Sequence, residues 1–388
     1  MSYFVKRRLD ASSKTKYRLN VHWRGLSKND TKALKAVSIL MIVLHNFFHV
    51  LPGWEIENEF WFSRSNYKFI RHSIPGANFF DALGLLFSYF GHYGVNAFVF
   101  LSSYGLYQSY RNKKLQYWQF VKNRVSKLYP AFFLGVLFYL AYNIIATKSF
   151  NHPDLYLGSL LRLTLLSNLI PGESLRVVGP WWFYSMIVQF YLVFPLLRRL
   201  FDRYGAVALL LLSILSYVLQ LLFNNTLIHQ GLFINTTVIG HLPVFALGLI
   251  LAKKNNILVR WWLFLVVLLL FYFGNNSEVG WLFTRVWFVV LMLYVYLFIK
   301  QFIPSKTNLP ARLILFIGSM SMYIFVVNGF LRQPFLDAVL KTNSLIFKLL
   351  ITFGFVAYVI GVALLLHAAE RLYLRINSRV ISPKENEL

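Results

Sequence analysis

KALKAVSILMIVLHNFFHVLPGW, residues 32–54, decides how the chain reads. Its apolar run from Ala33 to Leu44 is uncharged except for Lys35, and His45, Asn46 and His49 follow. The pattern predicts a membrane-spanning helix over about 33–51, ended by Pro52-Gly53. At about 1.5 Å per residue, His45 stands roughly 15 Å above Lys35. In a hydrocarbon layer about 30 Å thick, that is near the middle. Ionisable groups at such depth are costly and by default mark a pathway or a site.

The remainder of the 388 residues reads as housing for this helix. The chain is 57% hydrophobic and 18% aromatic, which suits a polytopic membrane protein and not a soluble one. Apolar runs predict ten spans, at about 33–51, 81–107, 128–147, 181–197, 205–223, 232–252, 257–273, 281–299, 313–330 and 345–366. The expected fold is an all-α bundle of about ten transmembrane helices. Three parts are expected: a basic cytoplasmic arm at 1–31, a transmembrane domain at 32–367 and a cytoplasmic tail at 368–388. The arm has no apolar core, so it does not read as a cleavable signal peptide.

A net charge of +25 would suit nucleic acid, but its placement argues against that partner. Alternate loops (1–32, 109–127, 198–203, 253–260, 300–312 and 367–388) carry 28 Lys and Arg, and the intervening loops carry 8. The positive-inside rule then sets both termini in the cytoplasm, with the basic loops against anionic lipid. The absence of cysteine removes disulfides and thiol chemistry.

Several groups are candidates for chemistry. His45 and His49, four residues apart, share a helical face, and Asn46 stands beside them. An imidazole in a dry site can take a proton from a hydroxyl and return it to a leaving group. The same histidines could simply bond to neighbouring helices. They could also ligate a metal with His92 and His241, but no metal signature links the four, and no metal is expected. Lys35, Arg285 and Lys348 read as cations near helix ends that snorkel towards water. Arg124 and Lys127 lie three apart at the entry to the third span, as a topology signal or a phosphate-binding pair. Trp181, Trp182 and Tyr184 open the fourth span, as an interfacial belt or a stacking surface for sugar rings. Gln189, inside that span, could bridge helices or meet substrate.

In order, these segments resemble the acyltransferase-3 family of membrane acetyltransferases. The matching pieces are Leu34–His45; Gly94-Val95 with Phe98, Phe100 and Leu101-Ser102; Arg124-x-x-Lys127-x-x-Pro130; and Trp182 with Gln189-Phe190-Tyr191-Leu192-x-x-Pro195. Ser321-x-Tyr323-Ile324-Phe325 is a looser fifth. The resemblance implies transfer of an acetyl group from cytoplasmic acetyl-CoA to a hydroxyl of a surface glycan or lipid-linked sugar, in a bacterial inner membrane. It makes the first-helix histidine the general base, and sets Lys35, Arg124 and Lys127 on the CoA side. Trp181, Trp182, Tyr184 and Gln189 are then expected on the acceptor side. The chain departs from the family pattern in spacing Lys35 and His45 by ten positions instead of eleven, with Asn46 at the eleventh. His45 acting from a rotated helix and His49 acting in its place both remain open. Ser103, Asn328 and Ile187 also replace usual family residues. A flippase for a lipid-linked saccharide and a catalytically inactive relative are the competing readings.

Overall fold

The computed structural model describes residues 20–254, 257–300 and 308–381. It is 79% helical. Most of the basic arm and the end of the tail lie outside the described residues.

The helices are α1 (Lys28–Phe48), α2 (Arg64–Ser73), α3 (Phe79–Phe90), α4 (Tyr93–Tyr110), α5 (Tyr117–Thr147), α6 (Pro153–Leu163) and α7 (Trp182–Tyr204). After them come α8 (Ala206–His229), α9 (Val238–Lys253), α10 (Trp262–Gly274), α11 (Glu278–Lys300), α12 (Leu309–Asn328), α13 (Gln333–Leu340) and α14 (Leu345–Ile381). Seven are long and apolar enough to cross a membrane: α1, α5, α7, α8, α11, α12 and α14. The shorter apolar helices α3, α9 and α10 fall on the other three expected spans. The second span, expected as one helix over 81–107, is instead α3 and α4, broken at Gly91-His92. The leucine-rich outer face of α8, with Leu210, Leu211 and Ile214 exposed, is the kind of surface lipid covers.

Helix α1 is the central post, packed against α3, α4, α12 and α14. It starts earlier than expected because Ser27 and Asp30 form a capping box. Asp30 also accepts from Tyr296 (2.5 Å) and Lys300 (2.7 Å), tying the start of α1 to the end of α11. Strand β1 (Asn20–Trp23) pairs antiparallel with β2 (Ile257–Arg260) just beyond α9. Arg198 near the end of α7 donates to the carbonyls of Arg111 and Lys113. The described parts of the basic segments around residues 20–30, 111–113, 198, 257–260 and 300 are therefore tied to one another in pairs away from His45. His45 and the loop after α1 lie at the opposite end of that helix from Asp30.

Close helix approach sets that second end. A Cβ on Gly91 would lie 2.6 Å from the His45 Cβ and 2.8 Å from the Met41 carbonyl oxygen. A Cβ on Gly94 would lie 2.5 Å from the Ser38 oxygen. Only glycines allow the α3–α4 break to press this tightly on α1. Past α1, Pro52 and Gly53 (φ +82°) reverse the chain, and residues 55–63 return across the end of the helix.

Candidate active site

His45 is buried in the last turn of α1. Its Nδ1 lies 3.2 Å from the Phe87 oxygen and 3.1 Å from the Ser88 oxygen. Carbonyl oxygens only accept, so Nδ1 carries the proton and donates. Nε2 then faces the cavity, 3.3 Å from Glu57 Oε2 and 3.8 Å from Glu59 Oε2. These carbonyls are within reach only because α3 ends against α1 at Gly91.

His49 is set in a similar way. Its Nδ1–H donates to the His45 carbonyl (2.7 Å), and its Nε2 lies 3.7 Å from Glu57 Oε2. The two imidazoles stack with centroids 4.5 Å apart and planes 9° from parallel. His92, at the α3–α4 break, sets its ring 5.6 Å from His45. Its Nδ1 is buried without a partner.

The acidic wall is built from distant parts of the chain. Four consecutive carbonyls, those of residues 57–60, each accept from a side chain. Asn66 takes Glu57 (3.1 Å), Trp281 takes Asn58 (2.8 Å), Arg285 takes Glu59 (3.2 Å) and Asn235 takes Phe60 (2.7 Å). A loop held this way presents its carboxylates at fixed positions, which is the preorganisation a site needs. Arg285 was expected to snorkel. It is buried instead, and Nη1 also donates to Gln220, Asn235 and the Gly240 carbonyl. The polar groups of α8, the 234–237 turn and α9 satisfy it inside the bundle, so it has no need of water.

The carboxyls are pushed apart. Burial raises Glu57, but the hydrogen bond it accepts from Nε2 of His45 in its protonated form, with the surrounding imidazoles, outweighs that and holds it well below the usual carboxylate range. Burial dominates at Glu59 and raises it. Two carboxyls whose environments separate them in this way suit two roles, an anion beside the base and a proton carrier.

A cavity of about 180 Å³ lies among His45, His49, His92, Glu57, Glu59 and Arg332. Trp182 and Asn46 complete part of its wall. A more open groove of about 480 Å³ adjoins it through the shared residues His49 and Glu57, with Glu55, Asn66 and the exposed ring of Trp61 along it.

The expected site residues divide. His45, His49, Asn46 and Trp182 line the cavity. Asn328 donates its amide to the Ile324 and Phe325 carbonyls, so its Oδ1 accepts from Asn46 Nδ2 (2.5 Å). That bond leaves Asn46 Oδ1 as the atom free to accept. Trp182 stacks on His241, which is itself bonded to Asn96 and the Asn235 carbonyl. Trp181 and Tyr184, expected on the acceptor side, are packed in the core instead: Trp181 donates to the Val326 carbonyl, and Tyr184 stacks on Phe132. Gln189 accepts from the Val238 amide, bridging helices. Lys35 is half-buried two turns into α1, away from the cavity. Arg124 lies over the rings of Tyr110 (4.9 Å) and Phe120 (5.8 Å), and Lys127 is exposed.

Glu57, Glu59 and Arg332 complete the cavity without having been singled out from the sequence, and His92, weighed there only as a metal ligand, lines it too. The run of Glu55, Glu57 and Glu59 after a histidine-bearing span was the available signal. One nitrogen each from His45 and His49 and a Glu57 oxygen lie within 4.8 Å of one another. Parallel stacked rings aim their lone pairs along parallel lines, whereas a zinc ion needs converging donors and usually four of them. His241 has both nitrogens bonded elsewhere.

A family model described as an acyltransferase domain, Acyl_transf_3, matches residues 30–368. The chain belongs to the acyltransferase-3 family. No curated protein and no solved structure matches it at a significant level. As an acyltransferase-3 protein it is an integral membrane acyltransferase, and its match runs from the cap of α1 into the second half of α14.

Proposed function

We propose that the protein moves an acetyl group from cytoplasmic acetyl-CoA to a hydroxyl of a surface glycan or lipid-linked sugar in a bacterial inner membrane, with His45 as general base. One observation carries this reading. The His45 Nδ1–H is spent on two backbone carbonyls, which leaves Nε2 as the basic atom facing a small cavity.

The acceptor hydroxyl enters beside Nε2 and loses its proton to it as the oxygen attacks the thioester carbonyl. The imidazolium that forms is stabilised by Glu57, 3.3 Å away. The tetrahedral adduct collapses, the C–S bond breaks, and the thiolate takes the proton back from His45. His49 extends the same stack and is the second candidate for the base. Lys35, Arg124 and Lys127 serve the CoA phosphates from the cytoplasmic side, and a pantetheine arm spans the roughly 15 Å between the levels of Lys35 and His45. Trp182 and the Trp61 groove offer aromatic faces and carboxylates, which suit a sugar better than a polyanion.

The test is the acetyl-ester content of surface glycans, by NMR, in a deletion strain complemented with wild type, His45→Ala or His49→Ala. Acetyl should vanish on deletion, return with wild type and fail to return with His45→Ala. Ester signals unchanged by deletion would overturn the reading.

A further inference from the structure

The charge on the cavity wall poses a problem for acyl transfer. Glu57 and Glu59 both face His45, and the tetrahedral adduct adds an oxyanion beside them. An anion forming next to a carboxylate is disfavoured unless a cation or directed donors meet it. His45 cannot supply both needs, because its Nε2 is committed first to taking the hydroxyl proton and then to handing it to the leaving sulfur.

Among the described residues that line the cavity, Arg332 is the one arginine or lysine. It follows α12 and precedes α13. Its Nη1 donates to the Asn46 carbonyl at 2.6 Å, fixing the guanidinium to the end of α1 next to His45. The bond uses one of its five N–H donors. The others take no protein acceptor among the described residues, and no carboxylate lies within ion-pair distance. Burial pulls the group down to about 10, which still leaves it charged at neutral pH. A half-buried arginine anchored by one corner, with its remaining donors at a cavity that holds a general base, has the form of a preorganised oxyanion site.

We infer that Arg332 is a further catalytic residue, whose free N–H groups receive the oxygen of the acyl carbonyl as it becomes an oxyanion. The inference rests on the acyl-transfer reading above and deepens it. In the step assigned, the hydroxyl oxygen bonds to the carbonyl carbon and its proton moves to His45 Nε2. The carbonyl π electrons move onto oxygen, where Arg332 holds them. They return as the C–S bond breaks, and the thiolate is protonated by His45. Arg332 exchanges no proton.

The experiment uses membranes of the native host, which carry the endogenous acceptor, from a deletion strain expressing wild type, Arg332→Gln or Arg332→Lys. The probe is radiolabelled acetyl-CoA, and the readout is label in alkali-labile ester against substrate concentration and pH. Arg332→Gln should lower the maximal rate about 10²–10³-fold, with the apparent KM for acetyl-CoA moved less than about threefold and the pH profile in place. Arg332→Lys keeps the charge but not the fork, so it should fall between the two. Thermal unfolding in detergent checks that each variant folds. Where Arg332→Gln does not fold, Arg332→Lys carries the test, and a wild-type rate in it overturns the assignment. An Arg332→Gln rate within about threefold of wild type also overturns it. So does a loss accompanied by a shifted pH optimum, since Arg332 would then act through His45. Wild-type membranes that incorporate no more label than the deletion strain overturn the acyl-transfer reading itself, and this inference with it.

Discussion

His45 Nε2 and Glu57 Oε2 stand 3.3 Å apart, although one belongs to a membrane-spanning helix and the other to the loop that folds back over it. The contact is to the nitrogen that faces the cavity. The opposite nitrogen is held by backbone carbonyls. In the proposed reaction, Glu57 would stabilise the protonated base from the substrate side, and an acceptor hydroxyl would approach along the same edge of the ring.

Glu57→Gln keeps the shape and removes the charge. Transfer should fall by about 10²-fold, within the range for loss of proton-transfer support, and His45→Ala should cost more. His49→Ala should cost less than His45→Ala, because its Nε2 is farther from the carboxylate. Initial rates of acetyl-ester formation rank the three. A Glu57→Gln enzyme with the wild-type rate would exclude the pairing from the mechanism.

The two carboxyls should respond to pH with opposite signs. Glu57 is held below its ordinary value of 4.5, so its ionised form stabilises the fold above that pH, and this support drains away as pH falls through the lowered value. Glu57→Gln should flatten the acid side of the melting-temperature profile. Glu59 is raised by burial, so its contribution is present at low pH and lost as pH rises through the raised value. Glu59→Gln, which mimics the protonated form, should raise the melting temperature at neutral pH. Scanning fluorimetry in detergent from pH 3 to 8 reads both.

Arg285→Met leaves the acceptors of Gln220, Asn235, Gly240 and Glu59 without their donor. Buried acceptors left unsatisfied cost about 1–3 kcal/mol each, so a clear loss of thermal stability is expected. The 57–60 loop should also loosen, which hydrogen exchange on those amides would report. Unchanged protection there would show that the other three pins suffice.

Gly91→Ala forces α1 and the α3–α4 break apart, since its Cβ would meet the Phe87 and Met41 carbonyl oxygens and the His45 Cβ, none of which can swing aside without the backbone. Overpacking of this kind costs about 1–3 kcal/mol. It also carries the Phe87 and Ser88 carbonyls away from His45. Activity should therefore fall further than stability, measured as rate at a temperature where the variant remains folded.

The sequence by itself determined where the apolar helices fall, the gathering of cations between them, and the shared face of His45 and His49. Each follows from composition or from the 3.6-residue period, which are local properties. The family, too, was readable from the order of its short motifs. Only the tertiary structure decided which groups meet those histidines. Trp181 and Trp182 are neighbours, yet about 100° of helical rotation sends one into the core and the other to the cavity wall. Arg285 looks like any cation near a helix end until Glu59, more than two hundred residues earlier, is laid across it. Glu57 and Arg332 read as loop residues because nothing local marks a loop as a lid. Their placement comes from helix docking through Gly91 and from long-range bonds to single carbonyls, and neither leaves a periodic trace in the chain.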